Sequence, residues 1–323
     1  MDDIVVADIG GTHARFAIAE IEDGRILSLS SPVTLATADH ASFQIAWEVF
    51  SAHLGRSLPR AAAIAMAAPI RSDLIKMTNN PWIVRPSQIP NKLGVDRHIL
   101  INDFAAVAHA VALVEAEQLF HITGPDLPLT RTGVISVIGP GTGLGVAALV
   151  YNDHQMQVLA TEGGHADFSP LDAVEDRILQ TLRNKYGRVA VERVVSGPGL
   201  RAIFEVLSEM EGRAMPPGDD RALWSMALAG QNSIATAALD RFFQTLGSIA
   251  GDIALTHGPG PVVLAGGLGL RLVKHIASSG FADRFVSKGR YRGLMESLPV
   301  KMITHPEPGL LGAAAAFAIE YRT

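Results

Sequence analysis

The run Ile4–Ala7 is apolar without interruption and ends at Asp8-Ile-Gly-Gly-Thr12. A second apolar stretch, Phe16–Ala19, follows at once, and Glu22-Asp23-Gly24 closes it with a turn signal. The pattern predicts strand–turn–strand. Nucleotide loops of the Rossmann and Walker kinds open a helix instead, and no Gly-Lys-Ser/Thr occurs, so both are set aside. Phe43, Ala46, Trp47, Phe50 and Leu54 have helical spacing over Ser42–Leu54. Ala61–Ala68 reads as a buried strand, Thr78–Trp82 as a polar loop and Ile99–Ile101 as a further strand. Phe104–Leu119 reads as a helix with apolar residues at 104, 107, 111 and 114.

Near Val134 the opening pattern returns. Ile135-Ser-Val-Ile-Gly-Pro-Gly-Thr142-Gly-Leu-Gly aligns with Val5 onward, with Gly11-Thr12 falling on Gly141-Thr142. A repeat at that long spacing points to a duplicated domain and not a solenoid. The copies differ in one place that matters: Ile138 stands where Asp8 stands, so only the first loop offers a carboxylate. Thr132–Asn152 carries no charge, yet its five Gly and central Pro140 suit two buried strands around a loop better than a membrane span.

Further on, Ser169-Pro-Leu-Asp172 reads as a helix start with Ser as cap, and Gly187 as the helix end. Met215–Asp220 reads as a surface loop and Ser233–His257 as one long helix. Pro261-Val-Val-Leu-Ala-Gly-Gly267 makes a third strand-to-glycine turn. Arg284, Lys288, Arg290 and Arg292 cluster, which is the mark of a solvated face, and Leu310–Tyr321 is an Ala-rich closing helix.

Composition narrows the class. A chain of 323 residues with 48% hydrophobic and only 18% charged residues has material for two cores. The net charge of −5 gives no support to nucleic-acid or anionic-membrane partners. There is no Cys, hence no disulfide, thiol nucleophile or Cys-ligated zinc, which fits a reducing compartment. The acidic start Met1-Asp2-Asp3 running into a strand is not read as a signal peptide, and a cytoplasmic location is expected.

Three groups of residues carry candidate chemistry. The glycine loops, Gly10-Gly11-Thr12 and Gly141-Thr142-Gly143, combine absent side chains with a hydroxyl, which lets backbone N–H groups approach phosphate. Taken singly, each is equally a hairpin turn; two copies plus the Gly266-Gly267 turn favour a nucleotide cradle. Asp8 is suited to orient Mg²⁺ through water, and its structural alternative is a turn or cap carboxylate. Asn102-Asp103 sits where a strand ends and a helix begins, so both capping and general-base readings apply to it. A helix start keeps a carboxylate ionised, which phosphoryl transfer tolerates because it depends mainly on positioning. In Thr161-Glu-Gly-Gly-His165 the two glycines argue against a helical Glu-x-x-His metal site. In a loop, Glu162 and His165 can converge on a small polar ligand, or simply form a structural turn. Glu192 taken alone reads as a surface helix residue.

Together these pieces resemble the bacterial ATP-dependent glucokinase family of the hexokinase–actin–Hsp70 superfamily. The resemblance rests on Asp8-Ile-Gly-Gly-Thr-His-Ala-Arg15, Thr78-Asn79, Asn102-Asp-Phe104, Gly139–Gly145, Glu162–His165, Glu192–Gly199 and Ala265-Gly-Gly267. It implies an α/β fold of two actin-like (ribonuclease H-like) domains, with mixed sheets flanked by helices and a cleft between them. The small domain is expected to be residues 1–113 plus 309–323, and the large one 114–308. It further implies transfer of the γ-phosphoryl group of ATP to the 6-hydroxyl of glucose, with Mg²⁺ and with Asp103 as base. Asn102, Glu162, His165 and Glu192 would hold the sugar, with Asn79 as a weaker candidate. Gly10, Gly11, Thr12, Gly141, Thr142 and Gly143 would grip phosphates, and Gly266 and Gly267 would lie by the adenosine. A homodimer is also implied. His13 stands where members of the family commonly carry Asn, which bears on contacts beside the phosphate.

Alternatives on the same fold are kinases for mannose, fructose or an N-acetylhexosamine. From another class comes an actin-like nucleotide-binding module that assembles or senses, for which the sugar cluster would have no use. The absence of Cys sets aside the related sugar-kinase and repressor group built around a Cys-rich zinc motif.

Overall fold

The computed structural model describes residues 2–70, 72–77, 80–152, 155–213, 218–266 and 269–322. These form two compact units, one of residues 1–114 with 305–323 and one of residues 115–304.

In the first unit, strands β1 (Asp2–Ile9), β2 (His13–Glu22), β3 (Arg25–Leu29) and β4 (Val33–Ala36) precede helix α1 (Phe43–Leu54) and strand β5 (Ala61–Met66). The short strands β6 (Ile75–Lys76) and β7 (Ile83–Val84), helix α2 (Ile89–Leu93), strand β8 (Arg97–Asn102) and helix α3 (Asp103–Val111) follow. The main sheet runs β3-β2-β1-β5-β8, with β4 paired to β2. Strand β1 is antiparallel to β2 and parallel to β5, and β5 is parallel to β8. Alternate residues of β1 serve opposite faces: Val5, Ala7 and Ile9 pack with α1, while Ile4 and Val6 pack against the C-terminal helix (Pro308–Glu320). Covering both faces explains why the strand reads as an unbroken apolar run. The β2–β3 turn places Asp23 at φ 48° and Gly24 at φ 72°, the left-handed pair that a tight hairpin requires.

The second unit repeats this plan. Its strands are β9 (Leu119–Thr123), β10 (Gly133–Pro140), β11 (Leu144–Asn152), β12 (Gln155–Thr161), β13 (Val262–Leu264) and β14 (Val300–Ile303). Its helices are α4 (Ala173–Tyr186), α5 (Gly197–Met210), α6 (Asp220–Leu228), α7 (Ser233–His257), α8 (Gly269–Ile276), α9 (Phe281–Val286) and α10 (Arg292–Glu296). The sheet order β12-β11-β10-β13-β14-β9 matches β3-β2-β1-β5-β8 strand for strand before adding β9. Its pairings share the senses of the first sheet, antiparallel from β10 through β12 and parallel from β10 to β14. The sequence repeat is therefore a repeat of topology, and both sheets are mixed and flanked by helices as expected.

Three readings of the sequence need correction. Helix α3 stops at Val111, and Leu119 opens strand β9 instead of ending a helix. The helical spacing runs on to Val114, but Glu115 is extended at φ −78°, ψ 165° and starts a separate turn through a capping box. Beyond that turn, pairing of β9 with β14 overrides local preference. Helix α4 is capped by Asp172, not Ser169: Asp172 accepts the Glu175 N–H at 3.0 Å while Glu175 accepts the Leu171 N–H at 2.8 Å. The basic cluster is not one solvated face. Arg284 reaches inward to Asp172 and Glu175, and Lys288 Nζ donates to Ser248 O at 2.8 Å and pairs with Asp252 at 2.6 Å. Arg290 and Arg292 alone of the four are exposed.

Candidate active site

In the first unit the candidate residues gather at one end of the sheet. Ile9, Met66 and Asn102 are register partners on β1, β5 and β8, so Asp8 and Asn102 leave the sheet about 10 Å apart, two strand spacings. This is the carboxyl end of the parallel strands, where open α/β sheets place ligands. Asn102 caps α3: its Oδ1 accepts the Phe104 and Ala105 N–H groups at 2.9 and 3.1 Å, and its Nδ2 lies 3.5 Å from Ala68 O. Asp103 occupies the first helical position, with Oδ1 accepting the Phe104 N–H at 2.9 Å.

The loop after β1 is pinned from inside. Gly10 N–H donates to His13 O at 2.9 Å, and Thr37 N–H donates to Thr12 O at 3.0 Å. The Thr37 hydroxyl donates to Gly11 O at 2.9 Å, and Asn80 Nδ2 lies 3.5 Å from Gly10 O. With its carbonyls drawn inward, the turn presents Thr12 and His13 outward, both exposed. Asp8 faces Arg15, its register partner on β2, at 3.5 Å, and Arg15 also lies 3.6 Å from Glu307. Burial pushes the Asp8 carboxyl above its ordinary range, with Arg15 opposing. Glu307 is raised too, first by burial and then by the charge of Asp8, again against Arg15. A Cβ on Gly309 would stand 2.7 Å from Asp8 Oδ2, so the first turn of the C-terminal helix can approach this carboxylate only as glycine. Mg²⁺ keeps most of its water and takes few carboxylates beside phosphate oxygens, so a single partly exposed Asp with one acidic neighbour fits an ion held through water.

In the second unit the equivalent loop joins β10 to β11. Gly141 N–H donates to Gly143 O at 2.8 Å, Gly197 N–H donates to Gly141 O at 2.7 Å, and Thr142 is exposed. Ile138, the counterpart of Asp8, is buried in the core. Gly266 adopts φ 103°, and a Cβ there would meet Pro140 O at 2.8 Å, so the third glycine turn lies against this same loop. Gly267 and Asn79 fall outside the described residues.

The polar group around His165 is built by close approach. Gly163–His165 form a single 3-10 turn instead of an open loop. A Cβ on Gly164 would lie 2.1 Å from Leu144 O, so that glycine lets the turn settle on β11. Segment 166–168 then pairs with 189–191 through Phe168 N–H to Val189 O and Val191 N–H to Ala166 O, both 2.9 Å. That pairing carries Glu192 to His165. His165 Nδ1 stands 3.6 Å from Glu192 Oε1, and Nε2 stands 3.9 Å from Glu162 Oε2. Both spacings exceed a hydrogen bond, so the three polar side chains stand close together without being joined to one another by these atoms. Glu192 sits in a short 3-10 turn with a partly buried carboxylate, not on a surface helix.

Sequence reasoning missed four supporting residues. Arg15 and Glu307 flank Asp8, Thr37 pins the first loop, and Arg188 clamps the His165 segment. Arg188 Nη2 donates to His165 O at 2.6 Å and its Nε pairs with Asp167 at 2.7 Å. Arg15 lies inside the first glycine motif and Glu307 inside His305-Pro-Glu-Pro-Gly309, so both were visible but unassigned. Thr37 and Arg188 carried no signal, because Thr37 bonds to backbone and Arg188 to backbone and to Asp167, which lies 21 positions away in sequence.

The family model for glucokinase matches residues 5–320. The chain belongs to the glucokinase family. It is 56% identical to a glucokinase of Zymomonas mobilis over 99% of this chain and 98% of that one. It is 40% identical to a glucokinase of Caulobacter vibrioides, over 98% and 96% of the two chains. Among solved structures, a glucokinase from an Antarctic psychrotroph superposes with a TM-score of 0.82 at 31% identity, covering 98% of this chain and 99% of that chain. The two α/β units with mixed sheets are the fold expected of the glucokinase family.

Proposed function

We propose that the protein is an ATP-dependent glucokinase, transferring the γ-phosphoryl group of ATP to the 6-hydroxyl of glucose. Family membership over nearly the whole chain supports glucose phosphorylation. The observation that carries the chemistry is the group Glu162–His165–Glu192, whose polar atoms stand 3.6 and 3.9 Å apart, unjoined by hydrogen bonds to one another, so that the hydroxyls of one ring can reach all three. Carboxylates accept from hydroxyls and imidazole accepts or donates, so this set can read several positions of a ring. A site that hydrogen-bonds hydroxyls discriminates strongly against analogues that lack them.

Asp103, held at the start of α3, accepts the proton of the 6-hydroxyl as that oxygen attacks phosphorus, and the proton ends on its carboxylate. Asn102 offers the sugar the amide hydrogen that is not directed at Ala68 O, while its carbonyl oxygen caps the helix. The turns Gly10–Thr12 and Gly141–Gly143 offer N–H groups and a hydroxyl each to phosphate oxygens, where developing charge is stabilised by donors fixed in advance. Asp8 would hold Mg²⁺ through water; when bound, the ion neutralises charge on the phosphates. We take the enzyme to work in the cytoplasm as a homodimer, on the family resemblance.

A coupled assay of ADP formation across hexoses tests this reading. Glucose is expected to be the fastest acceptor, with product phosphorylated at the 6-position. Equal or faster turnover of mannose, fructose or an N-acetylhexosamine, or no ADP with any hexose, would overturn it.

A further inference from the structure

The second glycine loop and the sugar group share a contact inside the second unit. Glu192 lies five positions before Gly197, whose N–H holds Gly141 O at 2.7 Å. Glu192 Oε2 stands 2.6 Å from where a Cβ on Gly143 would be, and its Cδ stands 3.7 Å from that point. The other oxygen, Oε1, is the one 3.6 Å from His165 Nδ1. One carboxylate therefore abuts the phosphate loop with one oxygen and faces the imidazole with the other. Gly143 is not among the glycines with positive φ, so its backbone does not call for glycine. Among the described residues, the Glu192 carboxylate is what a side chain there would meet. Gly141, two residues earlier in the same turn, has nothing among the described residues, its chain neighbours apart, within 4 Å of its Cβ position.

We infer that Gly143 is a positioning residue for the sugar site: its missing side chain holds open the place from which Glu192 receives a sugar hydroxyl. This rests on the reading of Glu192 as a sugar ligand. A methyl group at Gly143 meets the far end of a flexible side chain, so the fold survives by letting Glu192 rotate. That rotation carries Oε1 away from His165, and glucose loses a charged acceptor.

The test is glucose affinity measured calorimetrically without nucleotide, with melting temperature as the check on folding. Gly143→Ala is expected to fold and to weaken glucose binding about 10- to 100-fold, the range for a lost hydrogen bond to a charged group. It changes nucleotide affinity, measured without sugar, by a smaller factor. Gly141→Ala, whatever it does to nucleotide, keeps the glucose affinity of the parent. Glu192→Asp draws the carboxylate back by one methylene, so adding Gly143→Ala in that background costs no more than about 2-fold, a non-additivity expected only of residues in contact. If Glu192→Ala binds glucose as the parent does, the sugar role of Glu192 is wrong. If Glu192→Ala weakens glucose and Gly143→Ala does not, the assignment of Gly143 alone is overturned. A Gly143→Ala protein that fails to fold and is not restored by Glu192→Asp overturns it as well, since the clash would then lie with backbone.

Discussion

Asn102 caps helix α3 and thereby holds its neighbour Asp103 at the first helical position, one residue past the end of β8. Two backbone N–H groups, of Phe104 and Ala105, are taken by Asn102 Oδ1 at 2.9 and 3.1 Å. The cap and the base are thus adjacent but distinct residues. Asp103→Asn keeps shape and helix position while removing the proton acceptor. Turnover is expected to fall ~10²–10⁴-fold, with glucose affinity changed by less than about 10-fold. Asn102→Ala should instead cost about 1 kcal/mol of stability for the lost cap and weaken glucose binding as well. Steady-state kinetics with calorimetric glucose binding separate the two; near-parental turnover of Asp103→Asn would end the base assignment.

Asp8→Asn bears on the ion. The carboxylate shares Arg15 with Glu307, at 3.5 and 3.6 Å, so the amide keeps the packing against Gly309 while losing the charge. The Mg²⁺ concentration at half-maximal ATP binding is expected to rise ~10–100-fold, the usual cost of altering an outer-sphere partner of a metal. Glucose binding without nucleotide should not move. ATP binding with an unchanged Mg²⁺ requirement would count against Asp8 as the ion's partner.

Gly312 sets the distance between α3 and the C-terminal helix. A Cβ there would lie 1.6 Å from Ala106 O and 3.0 Å from Ala110 N, both backbone atoms of α3. Neither can rotate aside, so Gly312→Ala must push the helices apart. The cost expected is about 3 kcal/mol, the upper end of the overpacking range. Because α3 begins at Asp103, turnover should drop along with stability. Urea denaturation checks the first effect, and a variant as stable as the parent would show that the helices can separate freely.

What was legible in the sequence was local. The β1–β2 hairpin, its copy at β10–β11 and the contrast of Asp8 with Ile138 all follow from neighbours in the chain. The long helix α7 was legible at its observed bounds, Ser233–His257, because Asn232 caps it and its small residues keep one period. What was hidden depends on partners far away in sequence. Arg284 finds Asp172, 112 positions earlier, and a charge read in isolation looks solvated. Leu119 continues a plausible helical stripe until its pairing with Ile303 on β14 makes it a strand residue. Glu192 looked like a surface residue because the pairing that brings it to His165 is made by backbone, which sequence patterns do not display.

Glu175 is 1% exposed, takes the Leu171 N–H at 2.8 Å, and lies 3.3 and 3.2 Å from Arg241 and Arg284. Removing Glu175 leaves two half-buried guanidinium groups with Asp172 as their one shared carboxylate among the described residues. Glu175→Ala is expected to destabilise the second unit by ~3–5 kcal/mol. The loss should persist at high salt, since buried pairs are little screened. A shift within about 0.5 kcal/mol in denaturation experiments would mean that the network carries no net stability.

His109, on the helix that starts at Asp103, gives the protein an acid-sensitive element away from the chemistry. Its Nδ1 is buried without a hydrogen-bond partner among the described residues, and burial pushes its pKa from the ordinary 6.5 down to about 4. The folded state therefore keeps His109 neutral where the unfolded chain protonates it. Between those two values the unfolded state binds more protons, so stability falls as pH falls. With the folded value at about 4 and the unfolded one at 6.5, the loss between pH 7.5 and pH 5 is about 2 kcal/mol. His109→Leu removes both the orphan nitrogen and the titration. Its urea midpoint at pH 7.5 should be close to or above that of the parent, because an unsatisfied buried polar atom has been replaced by an apolar one. At pH 5 the variant should exceed the parent by a further 2 kcal/mol or so. Parallel curves for the two proteins across this range would assign the acid sensitivity to other groups.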